Sequence, residues 1–494
     1  MSPEKGAFLY AKFNLPALLH PAGQLRDMLC SCDESQRLES GALNWAIILS
    51  FEDGVEWIFR SPRRCRDILP ETTAMLLESE IATMKYVKLN SSIPVPEVFD
   101  YSWTASNTVG IPFILMSKAP GYALSQFSWN APPEGMVSSR KPLPCLKRAN
   151  KEKIMKQLGV ISSQLLNLRF DKIGSLFEED GEYRIKTCLS PTLIWHERDS
   201  LDDDVPRGPF QHTHNYYESQ LLAFLLHVKE LPLEQHAFFA PIPELREFET
   251  LLSYRSAVSR WNDFVTVGSK IDSSKNRLDY CVAGHFQRKM IPLITQQPFT
   301  ISGDIENGYP LSHPDISTSN VFVGGDFNIT CVIDWAFSST VPISTLLMTP
   351  SLPHPRDEVD TTLVPTFWAS FTHHFLQGKD IKLNPDFWDF TRRAWLFSQL
   401  LSILYVSVYK PEDDIDVPRL FNDVLKKEEF VELATMLAED DRPVDEIQRD
   451  EEEYFHHSHS EREAIARKLT MVAGLSEGFV ADKRLWQWVE EAIA

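Results

Sequence analysis

Residues 311–335, with the sequence LSHPDISTSNVFVGGDFNITCVIDW, constrain the fold of this chain more than any other stretch. They contain two short apolar runs, residues 321–323 and 329–333, separated by a turn that includes two glycines at 324–325. Short apolar runs on either side of a glycine-containing turn are typical of a β-hairpin. The sequence therefore predicts loop, strand, turn, strand and loop over this stretch.

Three polar side chains lie at the outer ends of the predicted hairpin. Asp315 and Asn320 precede the first strand, and Asp334 follows the second. Because antiparallel pairing brings these outer ends together, we expect the three side chains to converge. Two carboxylates and an amide offer the hard oxygen ligands that Mg²⁺ prefers. The spacing also suits phosphoryl transfer, with Asp315 as the catalytic residue that orients a hydroxyl and Asn320 and Asp334 as the metal ligands.

An ordinary turn is the alternative explanation for these residues. Asp, Ser and Asn side chains often bond to their own backbone in turns, and Asp334 could simply end a strand. The combination of Asp315, Asn320 and Asp334 at the expected places, with two strands between them, favours the site over this alternative. For His313 we expect a role in holding the loop by hydrogen bonding rather than in acid–base chemistry.

The loop matches the pattern His-x-Asp-x-x-x-x-Asn at His313, Asp315 and Asn320, and residues 333–335 match Ile-Asp-Trp. In these motifs the chain resembles the aminoglycoside phosphotransferase and choline kinase family, in its fungal-type phosphotransferase branch. The resemblance implies a bilobal α+β protein-kinase-like fold, with a small N-terminal lobe built on an antiparallel sheet and a larger, mainly helical C-terminal lobe with insertions. It also implies ATP as the phosphoryl donor and Mg²⁺ as the metal.

Composition narrows the class of partner. The formal net charge of −20 argues against nucleic acid, whose phosphates require clustered Lys and Arg, and it mildly favours a cationic or neutral acceptor. The longest apolar stretch, residues 395–409, contains Gln399 and three serines and is too short to span a bilayer. We therefore expect a small-molecule, hydroxyl-bearing acceptor and neither nucleic acid nor membrane as a partner. The oligomeric state stays open.

The compartment is expected to be the cytoplasm. The seven cysteines are scattered without a CxxC pair, which is typical of reduced thiols in an intracellular protein. No apolar core follows a basic segment at the N-terminus, which argues against a secretory signal. A mitochondrial presequence is the weaker alternative, because Glu4 and the shortage of Arg count against it.

Residues 36–60 predict a three-stranded meander. The strands are expected at 36–40, 44–51 and 55–60, with turns at Gly41 and at 52–54. In the family that the chain resembles, the first of these turns covers the nucleotide phosphates, which assigns Gly41 to nucleotide binding. A plain hairpin is the alternative, because one glycine is a weak signal. The chain contains no Walker A sequence.

Alternation along the third strand places Ile58 and Arg60 on one face. The resemblance implies that a cation at Arg60, where Lys is usual, contacts the phosphates, and that Ile58 lies against the nucleotide. A solvated basic turn is the alternative for Arg60. The next segment, residues 70–89, has the apolar spacing of an amphipathic helix, and Glu80 at the edge of its apolar stripe is the expected partner of Arg60. Glu78 is the alternative partner.

A buried strand is predicted at residues 112–117, and the chain leaves it at 118–121. The resemblance makes this the hinge between lobes, where backbone groups of Ser117 and Lys118 would bond the adenine. Helices are expected at 151–168, 215–231, 244–266, 280–294, 366–377, 385–409, 417–439, 461–471 and 483–493. The resulting division is an N-terminal arm over residues 1–35, which is either a helical preamble or a loose arm, an N-lobe over 36–117, a C-lobe over 118–410 and a helical C-terminal extension over 411–494.

Two other functions remain open. A nucleotide-binding pseudokinase or scaffold is suggested by Arg60 and by the single glycine of the first turn, although such a protein needs no acceptor-orienting Asp315. A protein kinase is disfavoured because Ser317 stands where Lys is usual, and because the metal motif is Asp-Trp-Ala rather than Asp-Phe-Gly. The sequence does not specify the acceptor.

Overall fold

The computed structural model describes nine longer stretches of the chain and a few shorter pieces. The longer stretches are residues 11–36, 43–63, 68–129, 143–201, 205–231, 274–295, 308–353, 359–375 and 427–438. The shorter pieces are residues 39–40, 355, 390–391, 393–395, 397–398 and 443. The chain divides into two compact units. The first comprises residues 1–132, 141–216 and 297–394, and the second comprises residues 133–140, 217–296 and 395–494.

An antiparallel sheet forms the N-terminal part of the first unit. Its strands are β1 (Cys30–Ser31), β2 (Glu39–Ser40), β3 (Asn44–Phe51), β4 (Glu56–Pro62), β5 (Val98–Ser102) and β6 (Phe113–Ser117). The strand order is β1-β3-β4-β6-β5, and β2 also pairs with β3. Every second residue of β3 is buried, as its alternating pattern of polar and apolar residues predicts. The predicted meander and the predicted strand at 112–117 are both confirmed.

Two helices cover the two faces of this sheet. The first, α1 (Leu15–Arg26), places Leu15, Leu18 and Ala22 in a core with Trp45 and Phe59. The residues expected to form an N-terminal arm therefore include a helix that packs on the sheet. The second helix, α2 (Pro70–Asn90), buries its apolar stripe against the other face, in the larger core of the unit.

The rest of the first unit is mainly helical, with short strands between the helices. Its central helix is α3 (Arg148–Asn167), which packs along a later helix, α8 (Val364–Phe375), in a core rich in Leu, Ile and Phe. The other elements of the chain are β7 (Tyr122–Ala123), β8 (Arg169–Phe170), β9 (Leu176–Glu179), β10 (Glu182–Ile185), α4 (Pro191–Ile194), α5 (Thr213–Glu230), α6 (Ser274–Thr295), β11 (Tyr309–Ser312), β12 (Val321–Val323), β13 (Ile329–Val332), β14 (Ser339–Thr340), α7 (Ile343–Leu346) and α9 (Glu428–Ala438), with 3₁₀ turns at Leu124–Gln126 and Arg198–Ser200.

The predicted hairpin at the centre of residues 311–335 is confirmed. β12 and β13 pair antiparallel, with Val321 opposite Val332, and β7 extends them to a three-stranded sheet. The sequence analysis assigned no strands to residues 176–185, which form a second hairpin of β9 and β10. This hairpin packs on α2, where the Lys85 ammonium pairs with the Glu178 carboxylate.

Gly121 makes a close approach to the β12–β13 hairpin that a side chain would prevent. Its φ is +89°, and a Cβ built on it would lie 2.3 Å from the backbone oxygen of Val323. Gly54, at φ +81°, has open space around its Cβ position. We expect Gly54→Ala to lower the free energy of unfolding by about 1–2 kcal/mol through backbone strain alone. Gly121→Ala should lower the free energy of unfolding by a further amount of about 1–3 kcal/mol, because its Cβ would also overpack the contact with Val323.

Urea denaturation of the two alanine variants would measure this difference. Equal losses of stability at the two positions would contradict the close approach at Gly121.

In the second unit, α6 and α9 pack side by side, with the His285 ring edge-on to Phe430 at 5.7 Å between centroids. Gly284 of α6 lies against the side chain of Leu225 in α5. These helices agree with the predictions around residues 215–231, 280–294 and 417–439, as far as the residues are described.

Several predictions concern residues outside the described part of the chain. They include Gly41, the helix at 244–266, most of the helix at 385–409, and the terminal helices at 461–471 and 483–493. Six of the cysteines lie within the described part and are free thiols; Cys145 is exposed, whereas Cys30, Cys188, Cys281 and Cys331 are buried.

No helix among the described residues combines the length and the apolar content that crossing a membrane requires.

Candidate active site

His313 fixes the loop that carries Asp315. Its Nε2 lies 3.0 Å from the backbone oxygen of Ile333, and its Nδ1 accepts the backbone N–H of Asp315 at 3.1 Å. Because Nδ1 accepts, Nε2 carries the proton and the imidazole is neutral. Burial lowers the pKa of His313, although the carbonyl of Ile333 and nearby carboxylates oppose that effect. The geometry agrees with the expected holding role of His313.

Asp315 and Asn320 meet directly. Nδ2 of Asn320 donates to the backbone oxygen of Asp315 at 3.0 Å and to its carboxylate Oδ2 at 2.8 Å. These two bonds close the loop between the residues and aim the Asp315 carboxylate. The other carboxylate oxygen, Oδ1, accepts no hydrogen bond from any described residue. That oxygen is therefore the one left to receive a proton or a ligand.

Asp334 follows the second strand of the hairpin in a left-handed backbone conformation, with φ +63°. The residue before it, Ile333, donates its N–H to the backbone oxygen of Asn320 at 2.9 Å, and its carbonyl faces His313. Trp335, which is fully buried, donates its ring N–H to the oxygen of Val332 at 2.9 Å and lies edge-on to His313. The hairpin thus brings the backbones of the two loops together, as the sequence predicted.

A buried ion pair connects the sheet to Asp334. The guanidinium of Arg60 on β4 pairs with the carboxylate of Glu80 on α2, and its Nη1 lies 3.6 Å from Oδ1 of Asp334. Burial disfavours the charge on Arg60, but the carboxylates of Glu80 and Asp334 outweigh it, so the pKa of Arg60 is raised. Of the two candidates on α2, Glu80 is the residue that pairs with Arg60.

Mg²⁺ is the metal that the resemblance implies, and the donors suit it in kind. Oδ1 of Asp315 and Oδ1 of Asp334 are both buried without a hydrogen-bond donor in the described part of the chain, although Nη1 of Arg60 lies 3.6 Å from Oδ1 of Asp334. A buried oxygen such as Oδ1 of Asp315 is costly unless a cation or ligand meets it. Because Asn320 uses its Nδ2 toward Asp315, its amide oxygen is the atom left for a metal. The described residues hold no cluster of three or more His, Cys, Asp and Glu that suits a metal ion.

The other residues expected to bind nucleotide lie on different faces of the sheet. Ile58 packs against the larger core on the Arg60 face of β4. Ser117 and Lys118 line a cavity of about 570 Å³ whose walls include Trp57, a residue of the opposite face. The backbone N–H of Ser117 donates to the oxygen of Glu97 at 2.8 Å, and Lys118 pairs with Glu56 at 2.6 Å. Their contacts with adenine stay a prediction.

Sequence reasoning missed a polar residue that anchors the hairpin to α3. Gln157 donates to the backbone oxygen of Phe327 at 3.0 Å and accepts the N–H of Ile329 at 2.7 Å. It thereby fixes both sides of the β12–β13 turn. A polar residue next to the apolar stripe of a central helix was the available signal.

These elements confirm the expected fold class. An antiparallel sheet with a helix on each face precedes a mainly helical part, and the His-x-Asp loop and the hairpin with its Ile-Asp-Trp end lie in that second part. This is the bilobal α+β arrangement of the protein-kinase-like fold.

Sequence comparison finds relatives that match parts of this chain. No protein-family model matches the chain. A subtelomeric hrmA-associated cluster protein of Aspergillus fumigatus is 25% identical over 332 residues, which is 63% of this chain and 58% of that protein. The chain thus matches little more than half the length of that relative. Altered inheritance of mitochondria protein 9 of Zygosaccharomyces rouxii is 36% identical over 107 residues, 22% of this chain and 16% of that protein.

Solved structures similar to this chain include several phosphotransferases. Macrolide 2'-phosphotransferase MphH from Brachybacterium faecium is 12% identical with a TM-score of 0.37, covering 86% of this chain and 99% of that one. Aminoglycoside 2'-phosphotransferase-IIIa in its GDP complex is 11% identical with a TM-score of 0.39, covering 88% and 99%. Plasmodium vivax ethanolamine kinase is 13% identical with a TM-score of 0.35, covering 85% and 84%.

Proposed function

We propose that the protein is an ATP- and Mg²⁺-dependent phosphotransferase that moves the γ-phosphoryl group of ATP to a hydroxyl of a small molecule. The observation that supports this most is the free Oδ1 of Asp315, whose carboxylate is held in place by Asn320 just before the first strand of the hairpin. Asp334 follows the second strand of the same hairpin. Phosphoryl transfer asks a protein mainly to position groups and neutralise charge, and this set of residues suits both tasks.

Asp315 is the proposed acceptor-orienting residue. Its Oδ1 accepts the hydroxyl proton of the acceptor, whose oxygen then bonds to the γ-phosphorus while the bond to the departing ADP oxygen breaks. The hydrogen bond from Asn320 to Oδ2 keeps the carboxylate in one rotamer, which limits the loss of orientation on binding. His313 stays neutral and holds the loop without exchanging protons.

Arg60 is the proposed phosphate-contacting cation. A guanidinium remains charged and can bond a phosphate through two N–H groups, although its shape differs from the usual Lys. Glu80 holds that guanidinium in place from α2. Asn320 and Asp334 are the residues that would hold Mg²⁺, and the metal would neutralise part of the phosphate charge.

The second candidate function is a nucleotide-binding scaffold without transferase activity. Two observations favour it. The guanidinium of Arg60 already pairs with Glu80 and lies near Asp334, and the N–H of Ser117 already donates to the backbone oxygen of Glu97. Against it stands Asp315, whose free oxygen a scaffold would not need. The proposed compartment is the cytoplasm, and the mitochondrion is the alternative suggested by the printed names of several relatives that match shorter parts of the chain.

An ADP-release screen with Mg²⁺-ATP and a library of hydroxyl-bearing metabolites tests the proposal. We expect at least one acceptor to stimulate ADP release by the wild-type protein and not by the Asp315→Asn variant, which serves as the blank. Nucleotide binding, seen as a rise in melting temperature with Mg²⁺-ATP, without stimulated ADP release from any acceptor would support the scaffold instead.

A further inference from the structure

The helix that carries Glu80 begins without a cap of its own. Leu69 precedes α2 in an extended conformation and has no side chain able to accept a hydrogen bond, and Pro70 occupies the first helical position. The first N–H groups of a helix lack intrahelical partners and usually need one. In a capping box, a Glu or Gln at the third helical position bonds back to the N–H of the residue before the helix. Here that position is Thr72.

Asp199 supplies the missing acceptor from a distant part of the chain. Its Oδ2 accepts the backbone N–H of Leu69 at 2.7 Å, across 130 positions of sequence. A carboxylate at a helix N-terminus also faces the positive end of the helix dipole. A charge-assisted bond of this length is stronger than a neutral one. Asp199 therefore caps the N-terminus of α2, which no described residue next to the start of the helix does.

Residues 190–201, which we term the bracing loop, present Asp199 in a fixed place. Buried Arg198 donates from Nη1 to the backbone oxygen of Thr192 at 2.9 Å, and Nη2 of Arg207 donates to the oxygen of Leu201 at 3.0 Å. The turn before Asp199 passes through left-handed conformations at His196 and Glu197, with φ of +67° and +58°. The loop is thus held through its own backbone.

The bracing loop touches the segments that carry both carboxylates near Arg60. Ile194 and Trp195 share an apolar cluster with Ile68 and Leu76, at the start of α2, and with Phe337, three residues after Asp334. The ring centroids of Trp195 and Phe337 are 5.4 Å apart. One loop therefore braces the helix of Glu80 and the segment that follows Asp334.

We propose that Asp199 is a positioning residue that caps α2 and thereby keeps Glu80 in register with Arg60. Glu80 lies eleven positions after Leu69 on one continuous helix, so a shift at the start of the helix carries to the ion pair. The catalytic consequence rests on the proposed function, in which Arg60 meets the phosphates of ATP. Fraying of the first turn would let the guanidinium of Arg60 move. It would therefore weaken the binding of ATP more than the binding of the acceptor.

The test compares Asp199→Ala and Asp199→Asn with Asp171→Ala, which removes a carboxylate that is 81% exposed and pairs only loosely with its neighbour Lys172. In Asp199→Ala, we expect amide exchange in a peptide covering residues 69–76 to be faster by about fivefold, with α3 unchanged. We expect kcat/KM for ATP to fall about tenfold while KM for the acceptor stays within about twofold. Asp199→Asn should lie between, because its amide oxygen accepts the same N–H without charge. Asp171→Ala should match the wild type.

The exchange measurement needs no turnover, so it separates the cap from the proposed function. Unchanged exchange at 69–76 in Asp199→Ala overturns the cap whether or not the protein is a kinase. Faster exchange with unchanged kcat/KM for ATP overturns the positioning role, as does an equal rise of exchange in α3, which signals general loss of stability. If the wild-type protein turns over no acceptor, the proposed function fails, and titration of Mg²⁺-ATP binding then decides the positioning role.

Discussion

Replacing Asp315 by asparagine is expected to lower kcat by about 10²- to 10⁴-fold, the range for loss of a general base. The amide that replaces the carboxylate has an oxygen to accept the bond from Asn320, so the loop keeps its shape. Its other terminal atom is an NH₂ group, which cannot take a proton from the acceptor hydroxyl. The loss should therefore appear in turnover, with the melting temperature close to that of the wild-type protein.

Asp180→Asn is the matched control for this variant. Asp180 is exposed in the turn between β9 and β10 at φ +53°, a conformation that Asn tolerates well. It makes the same chemical change with no contact to the site, so we expect wild-type kcat. Wild-type turnover in Asp315→Asn would remove Asp315 from the catalytic role. A large drop in melting temperature would assign it a structural role instead.

The second large effect is expected from Glu80→Ala. Among the residues that the structure describes, this change leaves Asp334, at 3.6 Å, as the one carboxylate near the buried guanidinium of Arg60. Breaking a buried ion pair by removing one partner costs about 3–5 kcal/mol, because the remaining charge is left uncompensated. We expect the free energy of unfolding, measured by urea denaturation, to fall by that amount.

Glu78→Ala and a double variant are the controls. Glu78 lies two residues away on α2, is partly exposed and does not pair with Arg60 in the structure, so its loss should cost less than about 1 kcal/mol. Arg60→Met with Glu80→Leu replaces the pair by apolar groups and should regain most of the stability while remaining inactive. If Glu78→Ala and Glu80→Ala were equally destabilising, the buried pair would not be the source of the effect.

Local patterns were sufficient for the elements that surround the site. The alternation of β3 and β4, the helical spacing of α2 and α3, and the glycine turn between β12 and β13 each follow from the period of the apolar residues. The spacing of His313, Asp315 and Asn320 predicted the closed loop, and the face of Arg60 together with the edge position of Glu80 predicted their pairing. These features depend on residues close in sequence or on faces of regular elements.

The features that sequence did not provide depend on contacts between distant segments. β10 has the sequence Glu-Tyr-Arg-Ile, too short and too polar to be recognised as a strand before its pairing with β9 is known. The sequence leaves the N-terminal residues open between a helix and a loose arm, and Pro21 inside α1 argues locally against the helix that forms there. Asp199 is 130 residues from the N–H that it accepts, and nothing in its neighbourhood indicates a cap.

Metal binding tests most directly whether Asn320 and Asp334 form the metal site. Mn²⁺ would be titrated in the presence of a non-hydrolysable ATP analogue and followed by electron paramagnetic resonance, for the wild-type protein, Asp334→Asn and the control Asp326→Asn. Asp326 is 63% exposed in the turn of the same hairpin. We predict that Asp334→Asn weakens Mn²⁺ binding by more than about tenfold, the least that loss of even an outer partner of a metal costs, and that Asp326→Asn binds as the wild type does. Equal Mn²⁺ affinity in all three proteins would contradict the site.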